Sequence, residues 1–354
     1  MSLGTCAAIE LADRPVNNAA MKKSQTSRDE AAAWVRFWDG RERGTEHRYR
    51  DPRVAVVLRQ HWQHCLSERF EGAPVVSLVD IACGEGELLR IAADCASGAG
   101  VDEFEACCTD ISRNAVALAA DAMPEEALAI PAVANAAELP FADAVFDCAI
   151  SQYGLEYAGP EAFSEAARVV GETGSLHALV HCQGGVVEAA CEEVAALLSA
   201  VVDGRLLGRL AEYVEAMVPA GDGAISDETV RDRVEQLRHG FDAVDEAVRA
   251  AKPGPARDHV ARLVVDSRTL ASRLGHYALA DVSAWIGGQK LEIEAFLHRM
   301  TSMLDVAQSE DDMRAVVGRL EAAGLRVEAL SVLEAPGQGG ALAWVVDARR
   351  SDAC

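Results

Sequence analysis

The chain has no apolar run approaching the roughly 18 to 20 residues that span a bilayer, and its first residues show no cationic-then-apolar leader. A soluble, cytoplasmic protein with no membrane partner is expected, its start lying at Met1 or at Met21. Positive charge is also scarce: 33 Lys and Arg stand against 56 Asp and Glu, a formal net charge of −23. An acidic surface repels a phosphate backbone unless a basic stripe rescues it. The best stripe, Arg36, Arg41, Arg43, His47, Arg48 and Arg50, is interleaved with Asp39, Glu42 and Glu46 and reads as a salt-bridged entry segment, so no nucleic-acid partner is expected. The 10 cysteines show neither a CxxC framework nor zinc-ligand spacing, which predicts reduced thiols and no metal site. What remains is a chain of 354 residues, half of them hydrophobic, long enough to bury a substantial core.

The most informative stretch runs from Val75 to Glu87: an apolar run, broken by Asp80, then Ala82-Cys83-Gly84-Glu85-Gly86. A parallel strand covered on both faces is almost continuously apolar, and Gly84 and Gly86 let the backbone turn sharply and approach a ligand without a Cβ in the way. The residues that follow are good helix formers with an apolar stripe. A second strand, Phe104 to Asp110, ends in an acid at roughly the spacing where a doubly wound fold sets a carboxylate on a ribose hydroxyl. Strand, glycine loop, helix, strand and acid form one nucleoside site. A dinucleotide fingerprint needs a third glycine or alanine where this chain has Leu89, and Glu85 and Glu87 put negative charge where a pyrophosphate would sit. That charge suits a ligand with a cationic amino-acid end.

The same stretch resembles the first motif of the class I S-adenosylmethionine-dependent methyltransferases, Asp-x-Gly-Cys-Gly-x-Gly, with Ala82 in place of the first glycine. The likeness continues in order along the chain. Val133-Ala134-Asn135-Ala136-Ala137-Glu138-Leu139-Pro140-Phe141 is similar to the family's stretch at the adenine, with Asn135 in place of an aspartate. Val145 to Tyr153 is similar to its fourth strand, and Ala166 to Gly174 to its turn before the fifth. The resemblance implies an α/β, doubly wound, mostly parallel seven-stranded sheet of Rossmann-like type, with S-adenosylmethionine as cofactor. It also implies positions. Asp80, Ala82, Cys83, Gly84 and Gly86 surround the methionine part, Asp110 takes the ribose hydroxyls, and Ile111 packs on the adenine. Asn135, whose amide oxygen can accept as the aspartate does, edges the adenine with Ala136, Ser151 is a further cofactor-binding position, and Gln152 and Tyr153, just past the fourth strand, lie near the sulfonium and the acceptor. For Asp110 a helix cap, and for Cys83 an apolar filler, are the plain structural alternatives.

Methyl transfer to an already activated carbon asks the protein mostly for positioning, with a base where the acceptor must lose a proton. His181, ending the fifth strand, fits that base, and Tyr153 and Tyr157 are the other catalytic candidates at the strand ends. For His181 a hydrogen-bonded structural histidine, and for Tyr157 a core aromatic, stay open. Acceptor-binding candidates are Trp38 on the N-terminal helix, Glu156, and His276, Tyr277, Trp285 and Gln289 further on, where core packing explains a Trp equally well.

Along the chain, residues 1–27 read as a loose tail and 28–70 as a helical cap whose start is signalled by Ser27 and Glu30 at capping-box spacing. Residues 71–182 form the cofactor-binding core. Residues 183–308 form a helical insertion between strands five and six, acting as acceptor lid or as homodimer interface. Residues 309–354 supply the last helix and a strand hairpin. The expected function is transfer of a methyl group to an O, N or S atom of a small-molecule metabolite, with a modest lean toward cationic or zwitterionic acceptors. Alternatives are a non-catalytic cofactor-binding scaffold, or methylation of a thiol, an arsenical or a protein. Ser151-Gln152-Tyr153-Gly154 departs from the Asn/Asp-Pro-Pro-Tyr signature of enzymes acting on nucleic-acid amino groups.

Overall fold

The computed structural model describes residues 32, 34–38, 52–123, 128–217, 226–337 and 339–350. The loose tail, the Ser27 cap and the basic residues Arg41 to Arg50 lie outside the described residues, while residues 34–38 are helical. Two compact units divide the chain: residues 1–188 with 302–354, and residues 189–301.

The first unit is built on β1 (Val75–Ile81), whose apolar run predicts burial on both faces; Leu78, Val79 and Ile81 are fully buried. Its alternation sends Leu78 to a core beneath α1 (Pro52–Phe70) and α2 (Glu87–Ala99), and Val79 to the opposite core. Parallel partners β2 (Glu103–Asp110) and β4 (Phe146–Gln152) flank β1, with β3 (Leu128–Val133) outside β2 and β5 (Val170–Val180) outside β4. The helix α3 (Arg113–Asp121) follows β2 and is capped by Ser112, which accepts from the Ala115 N–H. On the other face lie α4 (Pro160–Val169) and α10 (Glu310–Ala322), the latter opened by a Ser309/Asp312 capping box.

The hairpin β6 (Leu325–Glu334) and β7 (Ala341–Arg350) closes the sheet antiparallel to β5, giving the order β3-β2-β1-β4-β5-β7-β6. This is the seven-stranded doubly wound sheet expected. The order reverses between β1 and β4, so their carboxyl ends form the crevice in which such sheets bind ligands. The fifth strand begins at Val170, and its register with β4 shifts between Val170 and Ser175 before regular pairing starts.

The second unit is helical. Helices α5 (Val186–Asp203), α6 (Leu206–Met217), α7 (Asp227–Ala250), α8 (Pro255–Ser272) and α9 (Leu279–Val306) supply a core that includes Leu198, Leu210, Val244, Val260 and Ile293. Among the described residues no helix is long and apolar enough to cross a membrane, and no cluster of three or more His, Cys, Asp or Glu has metal-binding geometry. The eight described cysteines are buried.

Candidate functional site

The glycine loop leaves β1 in left-handed backbone: Ala82 at φ 60°, Gly84 at φ 53° and Gly86 at φ 78°. The two glycines serve different needs. A Cβ on Gly84 would stand 2.9 Å from the indole of Trp38, whereas one on Gly86 would stand 2.7 Å from the Ala119 Cα of α3. Gly86 therefore permits close helix packing rather than approach to a ligand, and Trp38, expected beside an acceptor, covers the loop at Gly84. The Cys83 thiol is buried and lies against the Gly84 carbonyl.

Two acids stand behind this loop. Asp80 is 1% exposed, and neither of its carboxylate oxygens has a hydrogen-bond partner among the described residues. Burial, with the neighbouring Asp110, pushes its pKa up to about 8. Asp110 accepts from the Gly84 N–H at 3.1 Å and the Ser112 N–H at 2.9 Å; burial raises its pKa against those bonds. A carboxylate offers about four acceptor directions, so hydroxyls have room to donate to Asp110. Orphaned buried oxygens are costly unless something donates to them. A ligand bringing a cation and a pair of ring hydroxyls fits this donor-poor, acid-lined mouth. Ile111 beside it is 40% exposed and Ala136 is buried. Asn135 Oδ1 accepts from the Ala137 N–H at 3.0 Å and holds a local turn, with its second lone pair left over. Ser151 likewise spends its hydroxyl on the Ile81 carbonyl at 2.8 Å, tying β4 to β1.

At the carboxyl ends of β4 and β5 the structure assembles a second group. His181 Nδ1 lies 2.6 Å from Glu156 Oε1, which also accepts the His181 backbone N–H at 2.9 Å. An ionised carboxylate only accepts, so Nδ1 carries the proton and Nε2 is left as the basic nitrogen. Both residues are buried, and Glu156 Oε2 has no partner among the described residues. Glu156 is thus not an acceptor contact, as the sequence suggested; its side chain is wholly covered and orients the histidine. The Tyr153 ring lies tilted against the His181 ring at 4.3 Å and donates its hydroxyl to the Leu342 carbonyl at 3.1 Å, which commits that phenol to the sheet rather than to proton transfer. Tyr157 meets His181 edge-on at 5.8 Å, and Trp34 meets Tyr157 edge-on at 5.3 Å.

Gln152 leads into a network that sequence reasoning missed. Its Oε1 accepts from the Trp62 indole N–H at 2.7 Å. Trp62 packs edge-on against His177, which pairs with His61 through their Nε2 atoms at 2.8 Å. Arg69 bridges to Asp347 at 2.5 Å and reaches Ser175. Burial, then the neighbouring His177 and Arg69, lowers the His61 pKa to about 4, and burial lowers that of His177. The contacts join α1, β4, β5 and β7, and no local pattern announces a pair such as Arg69 and Asp347, 278 residues apart.

The remaining candidates lie in the second unit. His276 and Tyr277 are exposed, Gln289 donates to Glu292 at 3.3 Å, and Trp285 packs into that unit's own core. Trp285 therefore has the packing role that was its alternative reading.

Residues 79–178 match the family model described as a methyltransferase domain. Among solved structures, an S-adenosylmethionine-dependent methyltransferase from Aquifex aeolicus is 10% identical, over 85% of this chain and 95% of that one, with a TM-score of 0.40. Geranyl diphosphate C-methyltransferase from Streptomyces coelicolor is 16% identical over 43% of this chain and 65% of that one, at 0.32. A chain in the complex of the Haloferax volcanii Trm112 activator with a methyltransferase described as putative is 22% identical over 37% of this chain, at 0.29; this chain spans only 57% of its length. No curated protein matches. At these scores the superpositions add nothing to the strand order. The methyltransferase-domain match over residues 79–178 runs from β1 to β5, and the ordered motifs and the seven-stranded topology agree with it.

Proposed function

We propose that this chain transfers the methyl group of S-adenosylmethionine to an oxygen, nitrogen or sulfur atom of a small-molecule metabolite. The observation that carries the reading is the His181–Glu156 pair at the carboxyl ends of β4 and β5, in the same sheet that carries the orphaned acid Asp80 on β1. When bound, the cofactor supplies a methyl carbon on a sulfonium, open to in-line displacement by an acceptor lone pair.

The chain's own residues then have separate tasks. Asp80 faces the ammonium, and ion pairing there returns its carboxyl to the ionised form. Asp110 accepts from the ribose hydroxyls while its backbone bonds hold the Gly84 turn. Ile111 and Ala136 line the adenine, with Asn135 shaping the turn at its edge. Cys83, Ala82 and Ser151 fix the loop against β1 and β4, and Trp38 closes over Gly84. His181 Nε2 takes the proton that an X–H acceptor loses as its lone pair attacks, and Glu156 stabilises the imidazolium that results. Tyr153 and Tyr157 wall the histidine with aromatic rings, which favours an acceptor of modest polarity.

The test is incubation with S-adenosylmethionine and a panel of hydroxyl, amine and thiol acceptors, following S-adenosylhomocysteine. Turnover with a panel member, lost in His181→Ala while cofactor binding persists, supports the reading. Tight cofactor binding with no product from any class, in the presence of an intact His181, would favour a scaffold.

A further inference from the structure

We infer that Trp62 is a positioning residue for the cofactor's amino-acid carboxylate, acting through Gln152; the inference rests on the proposed cofactor site. The indole N–H can only donate, so the Gln152 oxygen must face it and the amide NH2 must face the other way. One hydrogen bond of 2.7 Å therefore decides which end of Gln152 meets the crevice.

Three observations point the NH2 at a carboxylate. First, no acceptor meets Gln152 Nε2 among the described residues. Second, Asp80 pairs with Ile150 in the β1–β4 register, so Gln152, two residues on and on the same face, stands beside the glycine loop at the switch point. Ile150 packs in the core under α1 and α2, so that face is also the one where α2 begins at Glu87, with its positive helix end. Third, the acids around the loop suit the ammonium, sulfonium and ribose of the cofactor but repel its carboxylate. A neutral donor that cannot ionise is what that group lacks, and Gln152 supplies one.

Trp62 is equipped to hold the amide still. It is fully buried, and its ring is wedged edge-on against His177 at 5.1 Å. His177 is in turn set by His61, and by Asp347 3.8 Å from its Nδ1. The amide thus has a fixed orientation before any ligand arrives, which cuts the ordering cost of binding.

The experiment is calorimetric binding of two probes, S-adenosylhomocysteine and 5′-methylthioadenosine, which lacks the amino-acid end. Trp62→Phe keeps the ring and removes the N–H. It is expected to weaken S-adenosylhomocysteine about tenfold while leaving methylthioadenosine within about twofold, the spread of a contact not made. Gln152→Leu should show the same selective loss, and the double variant should lose no more than Gln152→Leu alone. Equal weakening of both probes means Trp62 is merely structural and overturns the inference, as does an unchanged S-adenosylhomocysteine affinity. Where Trp62→Phe does not fold, the selectivity of Gln152→Leu decides. A wild-type protein that binds neither probe refutes the cofactor site itself, a result distinct from wild-type binding that the variants leave untouched.

Discussion

A Cβ on Gly154 would lie 2.4 Å from the Ala82 Cβ, so a single methyl occupies the space between the ends of β1 and β4, and Ala82 supplies it. Ala82 holds φ 60°, where an L-residue with a side chain is strained by about 1–2 kcal/mol. Gly154→Ala is expected to destabilise by about 2–3 kcal/mol through this overlap. Ala82→Gly should stay within about 1 kcal/mol of wild type, because lost strain offsets lost packing. The double variant should recover most of the Gly154→Ala loss. Denaturant unfolding of the four proteins measures the coupling, and simple additivity would show that the two positions do not share the space.

The His181–Glu156 pair gives a graded prediction. His181→Ala should lower methyl transfer to hydroxyl acceptors by about 10²–10⁴-fold, the range of a lost general base. Glu156→Gln should lower it by a smaller factor, about 10–100-fold, since the amide can present its NH2 to Nδ1 and stabilise the wrong tautomer. Steady-state rates at saturating cofactor check both. Cofactor affinity should be unmoved by either change.

Asp80 predicts a proton released on binding. Its pKa of about 8 keeps the folded carboxyl protonated at neutral pH, and a cation placed against it favours ionisation. Below pH 8, S-adenosylmethionine binding should therefore release up to about one proton and tighten as pH rises. For the free protein the folded state binds more protons than the unfolded one between about pH 4 and 8, so this group lowers stability as pH rises across that window. Calorimetry in buffers of different ionisation heat measures the release. Asp80→Asn should abolish it.

His61 acts in the opposite sense. Its folded pKa of about 4 lies below the free value of 6.5, so the folded state binds fewer protons between those values. The stability it contributes is complete above pH 6.5 and is lost as pH falls toward 4. Asp347, held below the usual carboxylate range by His177 and Arg69 despite burial, adds a loss below that. Denaturation midpoints measured from pH 7 to pH 4.5 should fall in the wild type and fall less steeply in His61→Gln.

What was legible in the sequence follows from what is local. The apolar run ending at Asp80, the glycines and the acid at Asp110 lie within one strand–loop–helix–strand unit, so spacing alone placed them, and ordered motifs extended the sheet to β5. The hairpin was readable from two strand-like runs around Gly337. The roles of Glu156, Tyr153 and Trp62 were not readable, because each is fixed by a partner on another element: His181, the Leu342 carbonyl and Gln152. A carboxylate four residues past a strand end, as Glu156 is past Gln152, looks the same whether it turns outward to an acceptor or inward under a histidine. Likewise Gly84 and Gly86 are indistinguishable in sequence, although one faces Trp38 and the other Ala119.

The most direct measurement is calorimetric titration of the purified protein with S-adenosylmethionine and S-adenosylhomocysteine, beside Asp110→Ala and with NAD as control. Micromolar binding of both, a loss of about a hundredfold or more in the variant for two charge-assisted hydrogen bonds, and no binding of NAD is the result predicted. Absence of binding by the wild type, or equal binding by Asp110→Ala, would contradict the assignment of this loop and its acids as the cofactor site.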